Sequence, residues 1–74
     1  MNECKIMLDL DNANEFVQKA SKCDFDIDIF YNHFIIDAKS LLGVLGLDFS
    51  KILTVKYGGE NTDFSSMLKQ LAVG

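Results

Sequence analysis

A two-layer α+β open-faced sandwich is the fold this sequence predicts: the order β-α-β-β-α-β-α, with a four-stranded antiparallel sheet covered by helices on one face. Three observations predict it. Residues 4–10 and 24–31 alternate apolar and polar side chains with the period of a strand. Residues 13–20 and 64–71 space their apolar side chains three and four apart, as an amphipathic helix does. The chain has 74 residues, 49% of them hydrophobic, and no proline, enough for one core and no second.

Taken in order, Cys4, Ile6, Leu8 and Leu10 share one strand face, with Lys5, Met7 and Asp9 on the other. Asn12 stands three residues before Glu15, an N-cap arrangement similar to a capping box. Behind it Ala13, Phe16, Val17 and Ala20 form the apolar stripe of a first helix, ending near Cys23. Phe25, Ile27, Ile29 and Tyr31 then face the core while Asp24, Asp26 and Asp28 face water. Tyr31, Asn32 and His33 make a turn, and residues 33–37 return with Phe34 and Ile36 inward, completing a β-hairpin.

Ser40 as N-cap and Gly46 as terminator favour a short helix for the apolar segment between them, over a strand or a turn. Residues 52–57 are a β-branched strand, Gly58 and Gly59 a turn. Thr62 can cap a last helix carrying Phe64, Met67, Leu68 and Leu71 on one stripe. Crossover geometry makes the first two strands parallel, with the fourth slotted between them. The sheet face that carries the aspartates is left to solvent.

Composition narrows the function. The net charge is -4, with seven lysines and no arginine, so the chain lacks the bidentate fork and the basic footprint of nucleic-acid binding. No apolar run approaches a membrane span. The polar start runs straight into a strand, unlike a secretory leader, and Cys4 and Cys23 read as free core thiols, so the expected location is cytoplasmic. There is no nucleophile-base pair, no glycine-rich phosphate loop and no metal cluster, which argues against an enzyme and implies no cofactor. His33, the one histidine, reads as a solvated turn residue. The aspartates at 24, 26 and 28 read as a solubilising, edge-protecting stripe rather than a cation site.

Two segments carry a family resemblance. Phe16-Val17-Gln18-Lys19-Ala20-Ser21-Lys22, with Asp26-Ile27-Asp28-Ile29 and Tyr31-Asn32, resembles the first helix and hairpin of the HPr family, phosphocarriers of the sugar phosphotransferase system. Asp37-Ala38-Lys39-Ser40-Leu41-Leu42-Gly43-Val44-Leu45-Gly46-Leu47 is similar to the family's regulatory-serine segment, the more specific of the two. The resemblance runs from about Ala13 to Leu71, with a shorter loop between Leu47 and Ile52. It implies the HPr-like sandwich.

The resemblance fails at the front of the first helix. There the family carries histidine, a small residue, arginine and proline, and the histidine takes phosphate from enzyme I. An ungapped alignment puts Asp9 at the histidine, Asp11 at the arginine and Asn12 at the proline. Two aspartates repel an incoming phosphoryl group, and an acyl phosphate would normally need a bound metal and a lysine. Asp9, Asp11 and Asn12 thus read as a degenerate phosphocarrier site.

What the resemblance implies for function lies elsewhere. Ser40 matches a serine phosphorylated by a dedicated kinase in low-GC Gram-positive relatives. A dianion there would meet free helix amides and Lys39; an ordinary N-cap is the simpler role. Leu41, Leu42 and Leu45, with Lys39, match the patch that docks enzyme I, the serine kinase and a transcription regulator. A helix this short cannot bury all its aliphatic residues, so one or two should face solvent. The expected function is therefore a non-catalytic HPr-like regulatory or binding protein, comparable to family members that keep the serine without the histidine. A phosphocarrier using a non-histidine site, and a small assembly or ligand-binding domain, are the alternatives. The sequence leaves the oligomeric state open.

Overall fold

Asp9 decides where the first strand stops. In the computed structural model, which describes residues 2–73, it leaves the alternating pattern to cap a helix. Strand β1 (Asn2–Ile6) is therefore shorter than expected, and helix α1 (Leu10–Ser21) begins earlier. The Asp9 carboxylate accepts from the Asn12 main-chain N–H at 2.8 Å, and Asn12 Oδ1 accepts from the Asp9 N–H at 2.8 Å. This reciprocal capping box replaces the one expected from Asn12 and Glu15. A carboxylate is a better N-cap than a site further along, because it also sits on the positive end of the helix dipole. Leu10 becomes the first helical residue and is 72% exposed, not core, whereas Leu8 is buried as expected.

The hairpin comprises β2 (Ile27–Tyr31) and β3 (Phe34–Asp37), joined by Asn32 and His33, with Asn32 in the left-handed region at φ 53. Asparagine tolerates that conformation better than most side chains. Residues 24–26 bend instead of extending β2. The ladder ends at Ile27, opposite Tyr57, and offers no partner further along. Asp24 and Asp26 consequently lie outside the strand, and the expected three-aspartate stripe reduces to Asp28, set between Asp37 and Lys56.

Helix α2 (Leu41–Leu45) is capped by Ser40 and closed by Gly46, as predicted. Strand β4 (Leu53–Tyr57) leads to α3 (Thr62–Leu71). The α3 cap is Asn61, whose Oδ1 accepts from the Phe64 N–H at 3.0 Å, so Thr62 is the first helical residue instead of the cap. Both cysteines are free; Cys23 is buried and Cys4 only half-buried.

The sheet order is β1-β4-β2-β3, every neighbouring pair antiparallel, which leaves β1 and β2 parallel with β4 between them. The three helices cover one face. Phe16 and Phe64 meet there with ring centroids 5.9 Å apart, and Tyr57 packs edge-on to Phe64 at 5.5 Å. Ile6, Ile27, Ile29, Leu53 and Val55 rise from the sheet into the same core, with Val44 holding α2 down. The open face is mixed, not solely acidic: Lys56 pairs with Glu3 at 3.7 Å and lies 4.5 Å over the Phe30 ring. The C-terminal segment runs back along the outer edge of β1, with Ile6 bridged to Ala72 and the Val73 N–H donating to Lys5 O at 2.9 Å.

Candidate functional site

Two places carry the residues singled out by sequence, and the fold keeps them apart in kind. The first is the N-terminus of α1. Asp9 and Asp11 are exposed and Asn12 is half-buried. Two amides of the first turn are already engaged, Asn12 N–H by the Asp9 carboxylate and Ala13 N–H by the Asp9 carbonyl at 3.0 Å. Among the described residues, no cation forms an ion pair with either aspartate. Nor do these side chains join others into a cluster suited to a metal ion. His33 is exposed in the hairpin turn.

The second place is built on α2. Ser40 takes an extended backbone (φ -99, ψ 106), its Oγ accepting from the Gly43 N–H at 3.3 Å, and its own N–H donates to Asp37 O at 3.0 Å. The Asp37 carboxylate accepts from the Lys39 N–H at 2.9 Å, so the approach to the helix is a tight local network. Lys39 turns its ammonium away from Ser40 and donates to Cys23 O at 2.9 Å. There it meets the negative end of the α1 dipole.

Val44 alone of the α2 residues is fully buried. Leu42 is 85% exposed, and Leu41 and Leu45 are also exposed. Gly43 lets α2 lie close on the hairpin: a Cβ there would stand 2.9 Å from Ile36 Cγ2. Beside the helix opens an apolar groove of about 340 Å³. Tyr31, Phe34, Ile36, Leu42 and Leu47 line it.

The groove is the part that sequence reasoning missed. Phe34 was expected inward. The register does put it on the helix-facing side, beside Tyr31, but α2 stops short of the hairpin tip and leaves it 62% exposed. The signal available was the pairing of an inward phenylalanine with a helix too short to cover it. A second, polar cleft, between β4 and α3, is lined by Tyr57, Glu60, Asn61, Ser65, Ser66 and Lys69 and carries no residue that the motifs picked out.

Among the described residues, three ionisable groups depart from their ordinary range. Burial pushes the Cys23 thiol up, with Lys39 drawing it partly back and Asp24 adding to the rise. Burial also raises Tyr57, helped by Cys4 and Glu60. Asp48 is held below the usual carboxylate range by hydrogen bonds from the Ser50 hydroxyl, at 2.6 Å, and the Ser50 N–H, at 3.0 Å.

A family model described as the PTS HPr component phosphorylation site matches residues 5–72. The chain belongs to the PTS HPr family. The match is wider than the segment whose residues suggested it, reaching from the end of β1 to Ala72. Solved structures agree on the fold. HPr-C-His from Thermoanaerobacter tengcongensis superposes with a TM-score of 0.74 at 22% identity, over 95% of this chain and 93% of that one. Crh, the catabolite repression protein of Bacillus subtilis, gives 0.64 at 21% identity, over 95% and 88%. The crystal structure of Crh reveals a domain-swapped, intertwined dimer. The HPr fold therefore covers nearly the whole chain. No helix among the described residues is long and apolar enough to cross a membrane.

Proposed function

We propose that this HPr-family chain is a non-catalytic regulatory or binding protein of the phosphoenolpyruvate-dependent sugar phosphotransferase system, switched by phosphorylation of Ser40. One observation carries the reading: an exposed serine sits at the start of a helix whose own leucines are exposed beside it. A phosphoryl group on Ser40 adds about -1.5 to -2 charges at neutral pH. It would arrive at the edge of an apolar patch on a chain whose net charge is already -4. Docking there would then depend on the modification, since an apolar surface flanked by a dianion selects a different partner from an apolar surface alone.

Lys39, Leu41, Leu42 and Leu45 are the residues proposed to meet the partner, which by family would be an HPr serine kinase, a transcription regulator or a phosphotransferase-system enzyme. Leu42 is the anchor best placed to enter a partner pocket. The front of α1 favours the non-catalytic side of the proposal, for its cap is a carboxylate that already holds the Asn12 N–H and its exposed polar groups, Asp9 and Asp11, are acids. A cytoplasmic location follows from the same assignment.

Intact mass spectrometry after two incubations tests this, one with ATP and an HPr serine kinase, the other with phosphoenolpyruvate and enzyme I. The expected result is one phosphoryl group from the kinase reaction only, lost in Ser40→Ala. Uptake from phosphoenolpyruvate would instead establish a carrier using a non-histidine site. No uptake in either would leave Ser40 as a plain cap and end the switch reading.

A further inference from the structure

The sheet has two outer edges, and they differ. The edge of β1 carries Glu3 and Lys5 and is partly covered by residues 72–73. The edge of β3 is bare: it reads Phe34-Ile35-Ile36-Asp37, with no lysine, proline or bulge to blunt it. Because a two-residue loop joins β2 to β3, Tyr31 and Phe34 must exchange hydrogen bonds with each other, as must Ile29 and Ile36. The main-chain groups of Ile35 and the N–H of Asp37 therefore point outward, unused.

We infer that β3 pairs with β3 of a second copy, antiparallel about a two-fold axis through Ile35, joining two sheets into one of eight strands. The register follows from the residues. Side chains directly opposite each other in an antiparallel pair lie on the same face, so only registers that match odd with odd keep both helix layers on one side. Centring on Ile35 sets Ile35 against its own copy, Phe34 against Ile36, and His33 against Asp37. Centring on Ile36 would set Ile35 against Asp37, and centring on Phe34 would draw the left-handed Asn32 into the ladder.

The Ile35 register extends what is already on each face. On the open face Ile35, 63% exposed, stands beside Phe30, so the pairing makes an unbroken apolar row across both copies. On the same face Asp37 lies opposite Asp28, a like-charged pair that is unfavourable in a single copy. The incoming His33 supplies a ring N–H to that carboxylate. On the helix-facing side, Phe34 of the second copy would close over Ile36 at the rim of the apolar groove. Four main-chain hydrogen bonds join the copies, two between the Ile35 residues and one at each end from the Asp37 N–H to the His33 carbonyl. The Asp37 carbonyl takes no part, being committed to Ser40.

Sedimentation equilibrium between about 10 µM and about 1 mM tests the pairing, a range suited to a small interface. The average mass of the unmodified chain should rise from 8.3 kDa toward twice that value. Ile35→Lys, at an exposed position, should stay at the monomer mass throughout, with its far-ultraviolet circular dichroism unchanged. His33→Asp should weaken association roughly tenfold, because two like-charged cross-strand pairs replace two matched ones. Amide exchange reads the register directly: protection at Ile35 and Asp37 should grow with concentration while Ile36 stays constant. A chain that remains monomeric overturns the inference, even if its β3 edge binds an extended peptide. So does a dimer that persists in Ile35→Lys, as one formed by domain swapping would.

Discussion

Replacing Ser40 separates two roles that one hydroxyl could play, a helix cap and a modification site. As a cap, Oγ accepts a single N–H, that of Gly43, at 3.3 Å, near the long limit for such a bond. Loss of an N-cap acceptor costs about 0.5–2 kcal/mol in general. The length of this bond and the exposure of Ser40 place Ser40→Ala in the lower half of that range, at about 0.5–1 kcal/mol. In a domain of this size each kcal/mol moves Tm by about 4–8 °C, so the expected fall is about 2–8 °C. Ser40→Asp keeps an acceptor at the helix start and should recover most of the loss, the nearby Asp37 carboxylate taking back a part. Urea denaturation followed by circular dichroism measures both, with an unchanged m-value as the sign that the unfolding reaction is the same. A Ser40→Ala protein as stable as the parent would refute the cap. A loss above about 3 kcal/mol would show that Ser40 supports more than one turn of helix. The outcome also fixes the value of the phosphorylation control, because a serine-free variant is informative only if it folds.

Further tests reach other parts of the chain. A Cβ on Gly59 would enter the Phe25 ring, 2.6 Å from Cγ and 2.8 Å from Cε1, while one on Gly58 meets nothing within 4 Å. Gly59→Ala should therefore cost about 1–3 kcal/mol in thermal or urea denaturation and Gly58→Ala should be near neutral. A thiol reagent should modify half-buried Cys4 well before buried Cys23, as read by mass spectrometry of timed samples. Since the folded Cys23 thiol titrates above its ordinary 9.0, its contribution to stability is complete below that pH and lost as pH rises through the folded value. Cys23→Ala should flatten that alkaline decline in denaturation midpoints. Asp48 is depressed, so its contribution is present above the ordinary 3.8 and lost as pH falls through the lower folded value. A carboxyl NMR titration should give a midpoint below 3.8 that moves upward in Ser50→Ala.

Much of this fold could be read from period alone. The stripes of α1 and α3, the alternation of β2 and the Ser40–Gly46 bracket each state their own secondary structure, and β4 between parallel β1 and β2 is one of the few orders a right-handed crossover leaves. What period could not supply was competition between neighbours. Leu10 fits a strand face and a helix start equally well; the reciprocal bond between Asp9 and Asn12 decides it, and that depends on geometry the pattern does not contain. Asp24 and Asp26 alternate as strand residues do, but a strand exists only where a partner lies alongside, and β4 ends at Tyr57. Phe34 lies on the helix-facing side that the alternation predicts, yet it is exposed. The face is a local property, whereas cover depends on how far a separate helix extends.

The same distinction bears on how the two candidate sites compare. A helix start can receive a dianion only if its amides are free and the groups around it are not anionic. In α1 the cap is itself a carboxylate, and its side chain and carbonyl together engage the amides of Asn12 and Ala13. A phosphoryl group brought there would have to displace Asp9 and then lie beside Asp11. In α2 the cap's carbonyl likewise holds an amide, the Val44 N–H at 3.0 Å, but its side chain is a neutral hydroxyl engaging Gly43 through a long bond, so phosphorylating that hydroxyl replaces one acceptor by several without displacing a charge. The cost at α2 comes from Asp37 and from the distance of Lys39, whose ammonium is held at the end of α1. Under the proposed reading a phosphorylated Ser40 gains little from its own chain. A partner that supplies cations to the phosphoryl group and a pocket to Leu42 would then find both within one surface, and the unmodified chain would offer it only the second.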